Sequence, residues 1–112
     1  MASDRMRRVD EAVRDVVGDA IAKDLQDPRV GFVTVTAVKT SPDLRHARVY
    51  VSVLGDEAAR SASLEGLRSA HGVLQRALAR ELRLKRTPTL TFEYDESVQR
   101  GMRITELMRR DD

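Results

Sequence analysis

Three short segments that alternate apolar and polar residues constrain the fold of this chain more than any other feature. Residues 32–40 and 44–54 are rich in β-branched side chains, and only the turn-forming sequence Ser41-Pro42-Asp43 separates them. So short a connection predicts an antiparallel hairpin. The third segment, residues 89–94, follows a helical stretch of about thirty residues, so we expect it to pair in parallel with the second segment through a right-handed crossover.

Helical periodicity precedes the hairpin and returns at the end of the chain. Residues 6–25 repeat apolar side chains at steps of three and four, which is typical of an amphipathic helix. The sequence Asp27-Pro28 ends this helix, because a residue before proline is disfavoured in the helical conformation. Residues 97–109 show the same kind of spacing and predict a short C-terminal helix.

The crossover between the second and third strands is also helical, but a glycine interrupts it. Leucines recur at helical spacing from Leu64 to Leu82, and Thr87-Pro88 stops the pattern. Gly72 lies in the middle of this stretch, where glycine costs about 1 kcal/mol relative to alanine. Either one helix tolerates this glycine or two helices meet there with a kink.

These elements predict a single α+β domain over residues 1–112, with a three-stranded mixed sheet covered by helices on one face. Alternation in the second strand assigns four residues to the core face: Ala47, Val49, Val51 and Val53. The chain has four aromatic residues, three of which are expected in the core: Phe32, Phe92 and Tyr94. Tyr50, on the polar face of the second strand, is then the one ring expected to be exposed.

The residue types present do not favour catalysis. The chain has no cysteine, which excludes a disulfide framework, a thiolate zinc site and a cysteine nucleophile. Only His46 and His71 could serve as general bases near neutral pH, and no nucleophile or nucleotide-binding motif occurs. Carboxylates in the first helix interleave with arginines, which is typical of a solvent-exposed face rather than a metal site. We therefore expect no enzymatic activity, no metal and no cofactor.

No segment of the sequence has the length or composition of a membrane span. The longest uncharged and mostly apolar run, residues 30–38, is about half as long as a transmembrane helix. The N-terminal sequence MASDRMRR is charged and lacks the apolar stretch of a secretory signal. A cytoplasmic location is therefore expected.

Positive charge is in small overall excess but is locally concentrated. Twenty Lys and Arg residues face eighteen Asp and Glu residues, which leaves a net charge of +2, and all but three of the basic residues are arginines. One cluster spans eleven residues around Glu81 and comprises Arg76, Arg80, Arg83, Lys85 and Arg86. A second cluster near the N-terminus comprises Arg5, Arg7 and Arg8.

The spacing of Arg76, Arg80 and Arg83 places them on one face of a helix that extends through all three. Such a stripe can follow a phosphate backbone. The helix dipole also favours cations at a helix C-terminus, so the pattern alone does not separate a nucleic-acid contact from an ordinary helix end. A third interpretation is purely structural: Arg83 or Arg86 could form an ion pair with an acidic residue of the last strand segment, Glu93 or Asp95.

Several segments together resemble the ribosome-binding factor A family. They are DPRVGFVTVT from Asp27, SPDLRHARVYVSVLGD from Ser41, SAHGVLQRAL around Gly72 and LRLKRTPTLTFEYDES from Leu82. Arg8 in the first helix also fits the family pattern. The match runs in order through essentially the whole chain, which makes it more specific than any single motif.

The resemblance implies both a fold and a function. The fold is type II KH-like, with the order helix, strand, strand, helix, kink, helix, strand, followed by a short helix. Ordinary KH modules clamp nucleotides with a GxxG loop; here the kink motif is Ala70, His71 and Gly72. The implied function is non-catalytic binding to the small (30S) ribosomal subunit and its 16S rRNA in late maturation, with roles in 5′-end processing and cold adaptation.

The resemblance also indicates where RNA and other partners bind. The cations that follow the kink would contact the RNA backbone, and the N-terminal cluster would form a second patch. Ribosomal proteins and other assembly factors are further candidate partners, and we expect a monomer. Two positions depart from the family pattern: Gln75 replaces a usual arginine, so one phosphate contact is lost or falls to Arg76, and Thr89 replaces a glutamate. The rival hypothesis is a protein-interaction module that touches little RNA.

Overall fold

Helices and strands follow one another in the order that the sequence periodicity predicts. The computed structural model of the protein describes residues 4–97. Its elements are α1 (Asp4–Asp24), β1 (Val33–Thr40), β2 (His46–Val53), α2 (Glu57–Ser69), α3 (His71–Glu81) and β3 (Thr89–Tyr94). The predicted C-terminal helix of residues 97–109 lies outside the described residues, apart from Ser97.

The three strands form one mixed sheet, as predicted. Strand β2 lies in the centre, where it pairs antiparallel with β1 and parallel with β3. Hydrogen bonds of 2.8 Å close the hairpin turn, from the Ser41 amide to the His46 carbonyl and from the Leu44 amide to the Ser41 carbonyl. Because β2 and β3 run in the same direction, the α2–α3 segment must cross over the sheet to connect them.

The helices cover one face of the sheet and enclose the core there. The core side of β2 consists of the four residues that alternation predicts, while His46 and Arg48 on the opposite side are exposed. Fully buried helix residues complete this core: Val13, Val17, Leu67, Leu74 and Leu78. Burying each side chain of this size contributes about 1.5–3 kcal/mol to the free energy of unfolding, so the apolar alternation determines which face of the sheet the helices cover.

The aromatic residues divide between core and surface differently from the prediction. Phe92 is buried as expected, and Tyr94 is half-buried, with the Arg60 guanidinium 4.6 Å from its ring centroid. Phe32, however, is 80% exposed, so its assignment to the core is wrong. The strand begins at Val33, which packs against the core, and alternation then directs Phe32 to the opposite face.

The crossover consists of two helices rather than one. Helix α2 ends at Ser69 and α3 begins at His71, with Ala70 between them at φ −86° and ψ 12°. The kink predicted in this region is present, but it falls at Ala70. Gly72 lies in the first turn of α3 and has no need of a left-handed conformation. The direction of α3, and of the cations on it, is therefore set at Ala70, two residues before Gly72.

Side chains from the helices hydrogen-bond both edges of the sheet. On the β1 edge, Asp10 Oδ1 accepts from the Thr40 amide at 2.9 Å. On the β3 edge, the Gln75 side chain donates to the Pro88 carbonyl at 2.5 Å and accepts from the Leu90 amide at 3.1 Å. These contacts satisfy backbone groups that an edge strand otherwise leaves open for pairing with another chain.

Two helical glycines offer a matched pair of stability tests. We expect Gly66→Ala to lower the free energy of unfolding by about 1–2 kcal/mol, because its Cβ would lie 2.6 Å from Val30 Cγ2. We expect Gly18→Ala to raise it by about 0.5–1 kcal/mol, because nothing lies within 4 Å of the added methyl group in α1. Urea denaturation measures both; a Gly66→Ala protein as stable as Gly18→Ala would contradict the close packing of α2 on the segment before β1.

Candidate nucleic-acid interface

The basic residues that follow α3 lie on a loop, not on a helix. Helix α3 ends at Glu81, and Leu82 is already extended, with φ −104° and ψ 124°. Arg83 therefore does not continue the helical face of Arg76 and Arg80, and the prediction of a single three-arginine stripe is wrong. Three exposed cations instead occupy the connection between α3 and β3: Arg83, Lys85 and Arg86.

The fold brings this loop to the end of the molecule where α1 begins. Arg5 and Arg8 line one cleft of about 320 Å³ together with Leu82 and Leu84 of the loop. The other lining residues are Asp4, Val9 and Ala12. The segments that carry the two groups of cations, 75 residues apart from Arg8 to Arg83, thus meet in space. We define the basic end as Arg5, Arg8, Arg83, Lys85 and Arg86.

The charges of the basic end are available to a ligand. All five side chains belong to exposed residues, and none of them forms an ion pair with a residue in the described part of the chain. Five exposed cations on the two segments that meet at this cleft produce a local positive potential that the net charge of +2 does not reveal. Such an arrangement suits a polyanion, because each cation can contact one phosphate.

Neighbouring cations are partly neutralised. Arg7 forms an ion pair with Asp4 at 3.2 Å, so Arg5 and Arg8 are the members of the predicted N-terminal cluster that form no ion pair with a described residue. Arg45 lies beside the loop because its carbonyl accepts a hydrogen bond of 2.8 Å from the Thr89 amide. Its guanidinium, however, forms an ion pair with Asp43 at 3.9 Å. The Ser41 hydroxyl and the Arg45 amide donate to Asp43 and hold the pKa of that carboxyl below its ordinary value. Asp43 is therefore a permanent anion at neutral pH.

The two arginines of α3 differ in their surroundings. Arg76 is exposed, and its Nη1 lies 3.4 Å from the position that a Cβ on Gly72 would take. Glycine therefore leaves the surface beside this guanidinium open. Arg80 lies 3.5 Å from Glu81 in a cleft between α1 and α3. That cleft is also lined by the carboxylate residues Asp15, Asp19 and Asp24, so its field is less favourable for phosphate.

The ion pairs that the sequence offered for Arg83 and Arg86, with Glu93 or Asp95, do not occur among the described residues. Glu93 pairs with Arg48 at 3.9 Å, and Asp95 accepts from the Thr36 hydroxyl at 2.5 Å. Arg83 and Arg86 therefore have neither acidic partner that the sequence offered. Gln75 points to β3 rather than to solvent, so the residue that departs from the family pattern has a structural role here.

The described residues hold neither a metal-binding cluster nor a membrane-spanning helix. No group of three or more histidine and carboxylate side chains within residues 4–97 could hold a metal ion. In the same part of the chain, no helix combines the length and apolar character needed to cross a bilayer. The chemistry that the arrangement supports is anion binding at the basic end.

Sequence spacing identified the basic residues but not their assembly. The contact of Arg5 and Arg8 with the loop depends on the antiparallel packing of α1 and α3, for which no local sequence signal exists. The sequence did not predict that Arg45 lies near the basic loop. The parallel pairing of β2 with β3 places it there, because His46, the next residue, is paired with Thr89 at the start of β3. The order of elements, the mixed sheet and the kink define a type II KH-like α+β domain with one basic end.

Comparison with known proteins places this domain in a family. The family model of ribosome-binding factor A matches residues 5–108. A protein of that name from Anaeromyxobacter is 52% identical over 106 residues, which cover 94% of this chain and 87% of the relative. The chain belongs to the ribosome-binding factor A family, so the resemblance seen in the sequence is confirmed.

Solved structures of the family share the fold. The crystal structure of ribosome-binding factor A from Thermus thermophilus has a TM-score of 0.72 and 31% identity, covering 80% of this chain and 93% of that one. A homology model of the Thermus thermophilus factor, fitted into a cryo-electron-microscopy map of a 30S–RbfA complex, has a TM-score of 0.63 and 33% identity, covering 76% and 89% of the two chains. The α+β fold predicted from the sequence is confirmed by these neighbours.

Proposed function

We propose that this chain is a cytoplasmic, monomeric and non-catalytic assembly factor of the small ribosomal subunit. It binds the 30S subunit and its 16S rRNA late in maturation, aids 5′-end processing of the precursor rRNA and supports growth in the cold. The observation that carries the proposal is the basic end, where two distant segments meet at one cleft and together carry five exposed cations that form no ion pair with a described residue. Family membership and the 30S–RbfA complex of the Thermus thermophilus factor support the choice of particle.

The basic end binds RNA through phosphate positions and helix shape. Arginine provides a planar fork of donors that matches phosphate oxygens, and four of the five cations are arginines. No aromatic ring lines the cleft, so base stacking contributes little there. Arg76, beside the open surface at Gly72, adds a phosphate contact on the kink side. Arg7 and Arg80 remain candidates whose acidic neighbours reduce their expected contribution.

A factor of this kind assists maturation by binding alone. RNA processing is then performed by nucleases, while the bound factor favours one arrangement of the precursor by contacting it more tightly than the alternatives. Release requires only that a later arrangement of the subunit offers fewer phosphate contacts to the basic end.

The proposal is tested by sedimenting the protein with precursor and mature small subunits over a salt series. Five phosphate contacts predict that the logarithm of affinity falls with a slope of about −4 against the logarithm of salt concentration, which is a loss of about 250-fold between 50 and 200 mM. Loss of binding after nuclease digestion of the rRNA is also expected. Binding that ignores both salt and digestion would contradict the proposal and favour the protein-interaction module.

A further inference from the structure

Two large apolar side chains are exposed side by side at the end of the hairpin remote from the basic end. Phe32 is 80% and Leu54 is 76% exposed, and they are the large hydrophobic residues exposed among residues 4–97. The Leu54 amide donates to the Phe32 carbonyl at 3.0 Å, so the two residues are direct cross-strand neighbours. Cross-strand neighbours on one face have adjacent side chains, which here form a single apolar surface.

The backbone beneath this surface is firmly held. The Gly31 amide donates to Ser63 Oγ at 3.2 Å, which ties the start of β1 to α2. Gly66 of α2 approaches Val30 so closely that a Cβ there would collide with its side chain. An exposed aromatic ring on a rigid support loses little conformational entropy when a partner binds, which is a property of interaction hot spots.

Carboxylates occur close in the chain to both members of the exposed pair or to the residues just before them. Asp56 and Glu57 follow Leu54 after one intervening residue, Gly55, and neither forms an ion pair with a described residue. On the side of Phe32, Arg29 is bound by Asp27 at 2.6 Å and Glu65 at 3.8 Å, which leaves that group with one excess negative charge. The Arg29 guanidinium lowers the pKa of Asp27 to about 2, so this carboxylate stays ionised.

We propose that this acidic corner, defined as Phe32, Leu54, Asp27, Asp56, Glu57 and Glu65, binds a basic protein segment. An apolar side chain of the partner packs between Phe32 and Leu54, and lysine or arginine residues beside it pair with the surrounding carboxylates. The four carboxylates favour a basic protein segment over a nucleic acid, because they attract lysine and arginine side chains and repel phosphates. The corner is therefore a second interaction surface with a different kind of partner.

The acidic corner and the basic end can be occupied at the same time. Strand β2 begins at His46, next to the loop that carries Arg83, and ends at Val53, next to Leu54. Eight residues of strand span about 25 Å, which separates the two surfaces by more than twice the screening length in physiological salt. One domain can thus join an RNA segment to a basic protein on the same particle.

A photo-crosslinking experiment identifies the occupant. Benzoylphenylalanine replaces Phe32 in one derivative and Lys85 of the basic end in another, and each is irradiated with small subunits; this choice of particle rests on the proposed function. We expect position 32 to label a protein at a peptide in which lysine or arginine flanks an apolar residue, as mass spectrometry can establish, and position 85 to label rRNA. Label from position 32 on rRNA, on residues 98–112 of the chain itself or on a second copy would overturn the acidic corner as a protein site.

A second arm does not depend on RNA binding. The position 32 derivative is irradiated with rRNA-free proteins extracted from small subunits, where a basic peptide should again be labelled; no labelled protein here or on subunits would overturn the proposal. If only the position 85 derivative fails, the proposed RNA contact of the basic end is wrong and the acidic corner stands.

Substitutions measure the strength of the contact. We expect Phe32→Ala combined with Leu54→Ala to weaken binding to small subunits or to the extracted protein about tenfold, with unchanged affinity for protein-free rRNA. Glu57→Lys should weaken the same protein contact, whereas the matched reversal Glu11→Lys on α1 should not. Thermal unfolding checks that the exposed substitutions leave the fold intact. Equal binding by wild type and the double variant would refute the proposal.

Discussion

Reversing the three loop charges of the basic end is expected to lower affinity for small subunits by more than about a hundredfold near 0.1 M salt. The variant combines Arg83→Glu, Lys85→Glu and Arg86→Glu. It removes three proposed phosphate contacts and adds three carboxylates that repel phosphates. The fold should be unaffected, because the three native side chains are exposed and none forms an ion pair with a described residue. Sedimentation over a salt series should also show the slope of log affinity reduced in magnitude by about 2–3.

A matched pair of single reversals locates the interface. Arg83→Glu tests the loop, and Arg80→Glu tests the helix with the same change of charge three residues away. Because Arg80 faces the carboxylates of the α1–α3 cleft, we expect its reversal to cost clearly less affinity than that of Arg83. Equal losses at both positions would favour the helical stripe over the basic end, and no loss at either would remove both from the RNA interface.

Replacing Gln75 by leucine is expected to reduce the free energy of unfolding by about 2–3 kcal/mol. The substitution conserves much of the volume but deletes both hydrogen bonds to the β3 edge, leaving the Pro88 carbonyl and the Leu90 amide without their partner. Urea denaturation measures the effect. The exposed Gln26→Leu provides a control with the same chemical change, for which we expect less than about 0.5 kcal/mol.

Charged substitutions at the same position separate the two hydrogen bonds. Gln75→Glu keeps the acceptor for the Leu90 amide and loses the donor to the Pro88 carbonyl, whereas Gln75→Arg keeps a donor and loses the acceptor. Each should destabilise less than leucine does. A Gln75→Leu protein as stable as wild type would show that water replaces the side chain and that this residue does not fix β3.

The regular elements could be predicted because their signals are local. Alternation over eight residues and apolar spacing over twenty identify β2 and α1 without knowledge of the rest of the chain. The limits of the elements were harder to predict, since Arg83 looks helical by spacing and leaves the helix only because α3 ends at Glu81. Phe32 was misassigned for a similar reason: its size favours the core, but its register position directs it outward.

The candidate site could be predicted only in part. Charge clustering named the residues of the basic end, but their assembly depends on α1 lying antiparallel to α3, which is a tertiary contact. The sequence could not show that Gln75 serves the sheet rather than the RNA, because both roles suit an amide at that position. The acidic corner has no sequence motif, and it emerges from two separate segments once β1 and β2 are in register.

The Gln75 contact also limits the freedom of the loop that carries Arg83, Lys85 and Arg86. One end of this loop is fixed where the Leu82 amide donates to the Leu78 carbonyl at 2.9 Å, and the other where Pro88 meets Gln75 on the same helix. A short arc closed on one helix samples few conformations, so its three cations lose little entropy when they meet a phosphate backbone. Charge number and loop length are thus separate determinants of affinity, and added glycines would weaken binding without removing a single charge.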